Sequence, residues 1–125
     1  MNVVDAGVVV ELVAGSLDPD RLGDEELAAP HLIDTEVTHV LRSLVRRRAL
    51  SEEQGTAALD GFIGLTISRF PGDWLRPRMW ALRQNLSAYD ATYVALAEMI
   101  GATSLLTTDT RLAQAPGIRC AVQLL

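Results

Sequence analysis

Four acidic side chains stand in four separate short contexts: Asp5 in NVVDAG, Glu36 in LIDTEVTHVL, Asp90 in LSAYDATYVALAE and Asp109 in LLTTDTRLA. Each falls where an apolar, strand-like run gives way to a helix, or about one turn inside a helix. Carboxylates gathered at one place repel one another, and a divalent cation relieves that repulsion. Oxygen-only ligands suit hard ions such as Mg²⁺ or Mn²⁺. The chemistry such a set supports is hydrolysis of a phosphodiester by a metal-activated water.

The elements that must position these residues alternate along the chain. Residues 2–5 read as a buried strand ending at Asp5, and Ala6 to Ala14 as a short helix. Gly15 to Glu26 is a polar loop with a short helical turn, and Leu27 to Pro30 a second strand. From Leu32 to Arg48 the apolar positions Leu32, Ile33, Val37, Val40, Leu41, Leu44 and Val45 recur at helical spacing, with Glu36 near the start. Ser51-Glu52-Glu53-Gln54 is a capping-box pattern that opens a helix to about Leu65. Ile67 to Phe70 reads as a third strand stopped by Pro71-Gly72. A helix from about Asp73 to Gln84 follows, with Pro77 acceptable only in its first turn. Ser87 caps an apolar helix running to about Ile100, which Gly101 ends. Ser104 to Thr107 forms a strand, Thr110 to Ala115 a short helix and Arg119 to Leu124 a last strand. Alternating strands and helices point to an α/β fold with a mainly parallel sheet and right-handed crossovers. Ligands in such folds bind beyond the carboxyl ends of the strands, where all four acids would then lie.

Length and composition bound the rest. The 125 residues suit a single domain over 1–125 with one core, and 49% hydrophobic content is ample for packing it. No run of about 18 apolar residues is present, so no membrane span is expected. The first residues carry acids inside an apolar stretch and read as strand plus helix, not as a signal peptide. Cys120 is the only cysteine, which excludes an internal disulfide and leaves a cysteine zinc site unsupported; a reduced, cytoplasmic protein is the natural inference. The net charge of −5 looks wrong for a nucleic-acid enzyme, but setting the four acids aside as ligands leaves −1. All 11 basic residues are arginine, so chemistry that needs a lysine is excluded.

Each acid also has a bland reading. Asp5 or Asp109 can be a helix N-cap, Asp90 can complete a capping box with Ser87, and Glu36 can be a solvated helix residue. Their convergence on one edge favours the functional reading. Asp34, two residues before Glu36, lies on a different helix face and is expected to cap the helix. A hydroxyl of Thr107 or Thr108 could position a ligand water or a phosphate oxygen. His31 and His39 lack zinc-type partners and are expected at the surface or in loops. Arg42, Arg46, Arg47 and Arg48 make a basic helix end that complements the helix dipole, with phosphate contact as the other option. Trp74 and Trp80, near Arg76, Arg78 and Arg83, suit a core, a dimer surface or a stacking platform for bases.

The opening NVVDAGVVVELV, a glutamate in the helix after an AP-containing strand, and LSAYDATYVALAEMIGATSLLTTDTRLA together resemble the PIN-domain family. Within it the chain looks most like the VapC toxins of bacterial toxin–antitoxin pairs. The resemblance covers nearly the whole chain, and YDATYVALA followed by LLTTD is its most specific part. It implies a three-layer α/β/α sandwich, a metal-dependent endoribonuclease using Mg²⁺ or Mn²⁺, and an acidic quartet. Carried over by position, the quartet is Asp5, Glu36, Asp90 and Asp109, and Thr107 matches the threonine of the T-x-D element. Ser87 stands where threonine is frequent and keeps the hydroxyl. The family further implies an RNA substrate, homodimers and inhibition by a cognate VapB-type antitoxin whose tail occupies the active-site groove. Asp5 is the best central ligand because a strand end is a rigid platform. Asp90 and Asp109 would complete the set, and Glu36 would ligate or act through a water.

Other classes fit less well. A receiver domain resembles this arrangement of acids but requires a lysine, and a haloacid-dehalogenase-type phosphatase would show D-x-D where Asp5-Ala6-Gly7 stands. Neither G-x-x-x-x-G-K-[ST] nor G-x-G-x-x-G is present. A DNA-directed PIN-like nuclease and a catalytically inactive PIN-like binding module remain the alternatives.

Overall fold

In the computed structural model, which describes residues 1–125, five short strands are joined by six helices, one or two to each connection. The strands are β1 (Asn2–Val4), β2 (Leu27–Pro30), β3 (Ile67–Phe70), β4 (Leu105–Thr107) and β5 (Val122–Leu124). The helices are α1 (Ala6–Val13), α2 (Leu32–Arg46), α3 (Glu52–Gly64), α4 (Arg76–Ala81), α5 (Ala88–Met99) and α6 (Thr110–Gln114). Tight 3-10 turns at Pro19–Leu22 and Asp73–Leu75 fill two connections. The sheet order is β3-β2-β1-β4-β5 and every pairing is parallel. The chain steps outward from β1 to β2 and β3, then returns to place β4 on the other side of β1. The strand order therefore reverses between β1 and β4, which is where open parallel sheets leave a crevice beyond their carboxyl ends.

The layers follow from which residues must leave water. Val3 and Val4 in the middle strand are fully buried, as a parallel strand covered on both faces requires. Helices α1, α2 and α3 pack on one another, while α5 packs on β1, β2 and β4 with α4 beside it, completing a three-layer α/β/α sandwich. Helix α5 buries an unbroken run from Ala91 to Ala97, so it is apolar nearly all round and acts as a core helix. Gly55 lets α3 approach α2 closely: a Cβ there would stand 2.4 Å from Val45 Cγ2. Gly101, at φ +62°, turns the chain out of α5 in a conformation that costs glycine little.

Most element boundaries match the periodicity to within a residue or two, and the exceptions have local causes. The helix expected from Asp73 to Gln84 is divided into a 3-10 turn and α4, with Pro77 in the first turn of α4, the one place its missing N–H does no harm. Helix α2 stops at Arg46, because Arg48 takes the left-handed conformation (φ +61°) that glycine often supplies at helix ends. The last strand starts at Val122, not at Arg119. Asp34 is not the cap of α2: the cap position is His31, without a side-chain bond. Asp34 instead sits in the first turn and receives two hydrogen bonds from Arg69 of β3, Nε at 2.9 Å and Nη2 at 2.8 Å. The expected box at Ser51 is present in both directions, with Gln54 N–H on Ser51 Oγ and Ser51 N–H on Gln54 Oε1. No helix is long and apolar enough to cross a membrane.

Candidate active site

Asp5 follows β1 directly and both of its carboxylate oxygens are engaged. Oδ1 accepts the Val8 N–H at 2.9 Å and so caps α1. Oδ2 accepts the Thr107 hydroxyl at 2.5 Å. The parallel register of β1 and β4, Val4 opposite Leu106, is what brings these two residues together across the strand switch. Thr107 is fully buried, and its oxygen in turn accepts the Asp109 N–H at 3.0 Å. Its hydroxyl is thus committed to Asp5 and to the start of α6. The expectation that it positions a water or phosphate oxygen gives way to a role in orienting Asp5.

Asp109 caps α6, its Oδ1 accepting Arg111 N–H at 2.8 Å and Leu112 N–H at 3.4 Å. Asp90 is the third residue of α5, and its N–H is capped by Ser87 Oγ at 3.1 Å. Glu36 is the fifth residue of α2 and accepts the Tyr93 hydroxyl on Oε1 at 2.6 Å. Local pattern alone does not single out Tyr93. The signal it offers is its place three residues after Asp90, on the same face of the helix. Asp5 and Asp109 are therefore N-caps, as their bland readings had it, and capping leaves room for a ligand. Asp5 keeps one lone pair on each oxygen, and Asp109 keeps both on Oδ2.

The acids share one electrostatic environment. Burial pushes the Asp5 carboxyl above its usual range; Thr107 and the Val8 amide pull it down, while Asp90 and Asp109 push it further up. Burial raises Asp90 too, the Asp109 charge adds to that, and Ser87 and Arg111 oppose it. Glu36 is raised by burial, lowered by the Tyr93 hydroxyl and raised by Asp90. The Tyr93 phenol is pushed far up, by burial first and then by Glu36. Asp90 and Asp109 thus act on Asp5, Asp90 acts on Glu36, and Asp109 acts on Asp90. They do not close into a cage: no three acidic, histidine or cysteine side chains are arranged to hold a metal ion. The side chains are held instead by Thr107, Tyr93 and helix amides. Burial and mutual repulsion raise the proton affinity of Asp5, Glu36 and Asp90, and carboxylates in that condition also suit a hard divalent cation. A hollow of about 390 Å³ opens beside Asp90 and Asp109, walled by Asn85, Leu86, Ser87 and Arg111.

The other sequence candidates lie elsewhere. His31 and His39 are exposed, and Arg42, Arg46, Arg47 and Arg48 are exposed without ion pairs. Trp74 and Trp80 are 73% and 69% exposed, which removes the core reading for both. Arg78 is committed to Glu98, its Nε 2.6 Å from Oε1.

Comparison with known proteins identifies the family and the fold. The PIN domain family model matches residues 3–118. Ribonuclease VapC1 of Mycobacterium tuberculosis is 44% identical over 131 residues, covering 98% of this chain and 96% of that protein. VapC20 of the same organism, described as a Sarcin-Ricin loop cleaving toxin, superposes with a TM-score of 0.68 at 16% identity, over 95% of this chain and 97% of the other. VapBC2 from Rickettsia felis, solved on a DNA fragment from the promoter of its pair, gives 0.69 at 13% identity, over 98% and 97%. These two distant likenesses speak for the fold; the family model and the end-to-end relative speak for descent. The chain belongs to the PIN domain family.

Proposed function

We propose that this chain is a Mg²⁺- or Mn²⁺-dependent endoribonuclease, the toxin of a type II toxin–antitoxin pair, acting in the cytoplasm as a homodimer. The observation that carries the reading is the electrostatic coupling of Asp5, Glu36, Asp90 and Asp109 around the strand switch. It is supported by a relative named a VapC ribonuclease that matches along nearly the whole chain.

In this reading Asp5, Asp90 and Asp109 would hold the metal, and Glu36 would ligate it or act through a water. The bound ion would lower the pKa of a coordinated water and offset charge on the phosphate and leaving oxygens. The chain supplies the positioning. Thr107 and the α1 amide fix both oxygens of Asp5. Tyr93 holds Glu36 in one orientation and favours its ionised form. Arg111, 94% exposed with its Nε 3.9 Å from Asp109, is free to meet a phosphate. A cognate VapB-type antitoxin is the expected partner, in keeping with the toxin-antitoxin complex among the solved structures that share this fold.

The test is cleavage of total cellular RNA by purified protein with Mg²⁺, with Mn²⁺ and with EDTA, beside Asp5→Asn. Discrete fragments that disappear with EDTA and with the variant are expected, and mapping their ends identifies the RNA. A folded, antitoxin-free protein that cuts nothing under either metal would remove the nuclease reading.

A further inference from the structure

Both tryptophans and one of the two tyrosines are exposed, and all three fall in one segment: Trp74, Trp80 and Tyr89 are 73%, 69% and 61% exposed. Exposed aromatic rings interleaved with arginine are the hardware of single-stranded nucleic-acid binding. Trp80 is the best placed. The Arg83 guanidinium lies over its ring, 4.5 Å from the centroid, and Arg83 Nη1 donates to the Trp80 carbonyl at 2.9 Å. The ring still keeps most of its surface in water, so one face is open while the other is braced.

The charge around it is unspent. Arg83 and Arg76 donate only to backbone carbonyls, Trp80 O and Asp73 O, and neither has an acidic partner within ion-pair distance. With Trp80 they line a hollow of about 360 Å³ whose wall contains no acidic residue. A second copy of this chain seated there would have to meet these cations, and the hollow offers it no carboxylate in return. A polyanion with a flat apolar group suits it better.

The position completes the case. Leu86 and Ser87 also line this hollow, and the same two residues wall the hollow that contains Asp90 and Asp109. Ser87 is the cap of the helix that carries Asp90. The aromatic platform and the acidic edge are adjacent compartments of one surface.

We infer that Trp80, braced by Arg83 and flanked by Arg76, stacks an unpaired base of the RNA, one compartment away from the acids that cut it. This rests on the ribonuclease reading for the identity of the ligand. A braced ring loses little freedom on binding, so it selects for an unstacked nucleotide beside the cleavage point.

The experiment is fluorescence anisotropy with a labelled single-stranded RNA of mixed sequence, in EDTA to prevent cleavage. Wild type is compared with Trp80→Ala, Trp80→Phe and Arg83→Gln. Circular dichroism checks folding, light scattering checks mass, and cleavage with Mg²⁺ is run in parallel. Trp80→Ala is expected to weaken binding about tenfold, the scale of one lost stacked base, and Trp80→Phe to keep most of the affinity. Arg83→Gln should reduce the salt dependence of binding by about one phosphate contact. Variants that bind like a wild type that cleaves would overturn the platform and leave the nuclease standing. Trp80-dependent binding by a protein that never cleaves would support the platform and remove the nuclease. A wild type that neither binds nor cleaves removes both. Conversion of a dimer to monomers by Trp80→Ala, with unchanged affinity for RNA, would assign the patch to contact between copies and overturn the inference.

Discussion

Tyr93 of α5 donates its hydroxyl to Glu36 of α2 at 2.6 Å, joining two helices that reach the carboxyl edge from different parts of the chain. The tyrosine is 2% exposed and its hydroxyl is the polar tip of a core side chain. The bond has an electrostatic consequence, because it opposes the burial and the Asp90 charge that raise the Glu36 carboxyl.

Tyr93→Phe keeps the ring in the core and removes only that donor. The Glu36 carboxyl then moves further up, so ionisation of Glu36 shifts to higher pH. The acidic limb of the cleavage rate against pH should move upward, with little change at alkaline pH. Profiles for wild type and variant decide it, and superimposed acidic limbs would show that Glu36 does not titrate in the reaction.

Asp5→Asn should abolish cleavage without unfolding the protein, since asparagine also caps helices. The sign of its stability effect follows from the raised Asp5 carboxyl. A raised folded-state pKa contributes stability that is full below the unfolded value and lost as pH rises through the folded one. At pH 7 the ionised Asp5 is therefore a cost in metal-free protein. The variant should be as stable as wild type or more so at pH 7, and the gap should close toward pH 4. Urea denaturation in EDTA at the two pH values measures this.

Divalent cation should stabilise wild type at pH 7 and leave Asp5→Asn nearly unmoved. Binding to the folded state alone contributes about 2.7 kcal/mol at a concentration 100 times the dissociation constant. Thermal unfolding with increasing Mn²⁺ reads it directly. An equal rise for both proteins would place the ion away from Asp5.

Thr107→Val preserves shape but leaves Asp5 Oδ2 and the Asp109 N–H without their buried partner. A loss of about 1–3 kcal/mol is expected, together with reduced cleavage. Thr107→Ser should restore both, because the hydroxyl and not the methyl makes the two bonds.

Asp34→Asn separates the two acids of the LIDTE segment. Asp34 and Arg69 form a partly exposed pair, with side chains 49% and 30% exposed, so solvent screening limits its worth to about 1 kcal/mol or less. The Arg69 hydrogen bonds hold the Asp34 carboxyl below its usual range, so this contribution is present at neutral pH and is lost on acidification. Cleavage at pH 7 should be unchanged. A loss of activity comparable to that of Asp5→Asn would bring Asp34 into the site.

Much of this protein was legible from local pattern. The first strand to within a residue of its end, the strand end at Thr107, the apolar α5 behind Ser87, the box at Ser51 and the stop at Gly101 all depend on near neighbours, and chain chemistry states them openly. Alternation of strands and helices then required a parallel sheet, and the four acids fell at its carboxyl edge because each sits beside an element boundary. The division of the helix around Pro77 and the early end of α2 were less legible, since each turns on one residue's backbone conformation.

Tertiary structure alone decided who touches whom. That Thr107 serves Asp5, that Asp34 answers to Arg69 and that Tyr93 meets Glu36 are contacts between residues 102, 35 and 57 positions apart. The exposure of Trp80 and the wall it shares with the acidic hollow are of the same kind. The physical reason is that secondary structure is set by hydrogen bonds and periodicities only a few residues long. Partnership across a sheet depends on strand order, register and the packing of whole layers, which only the complete fold specifies.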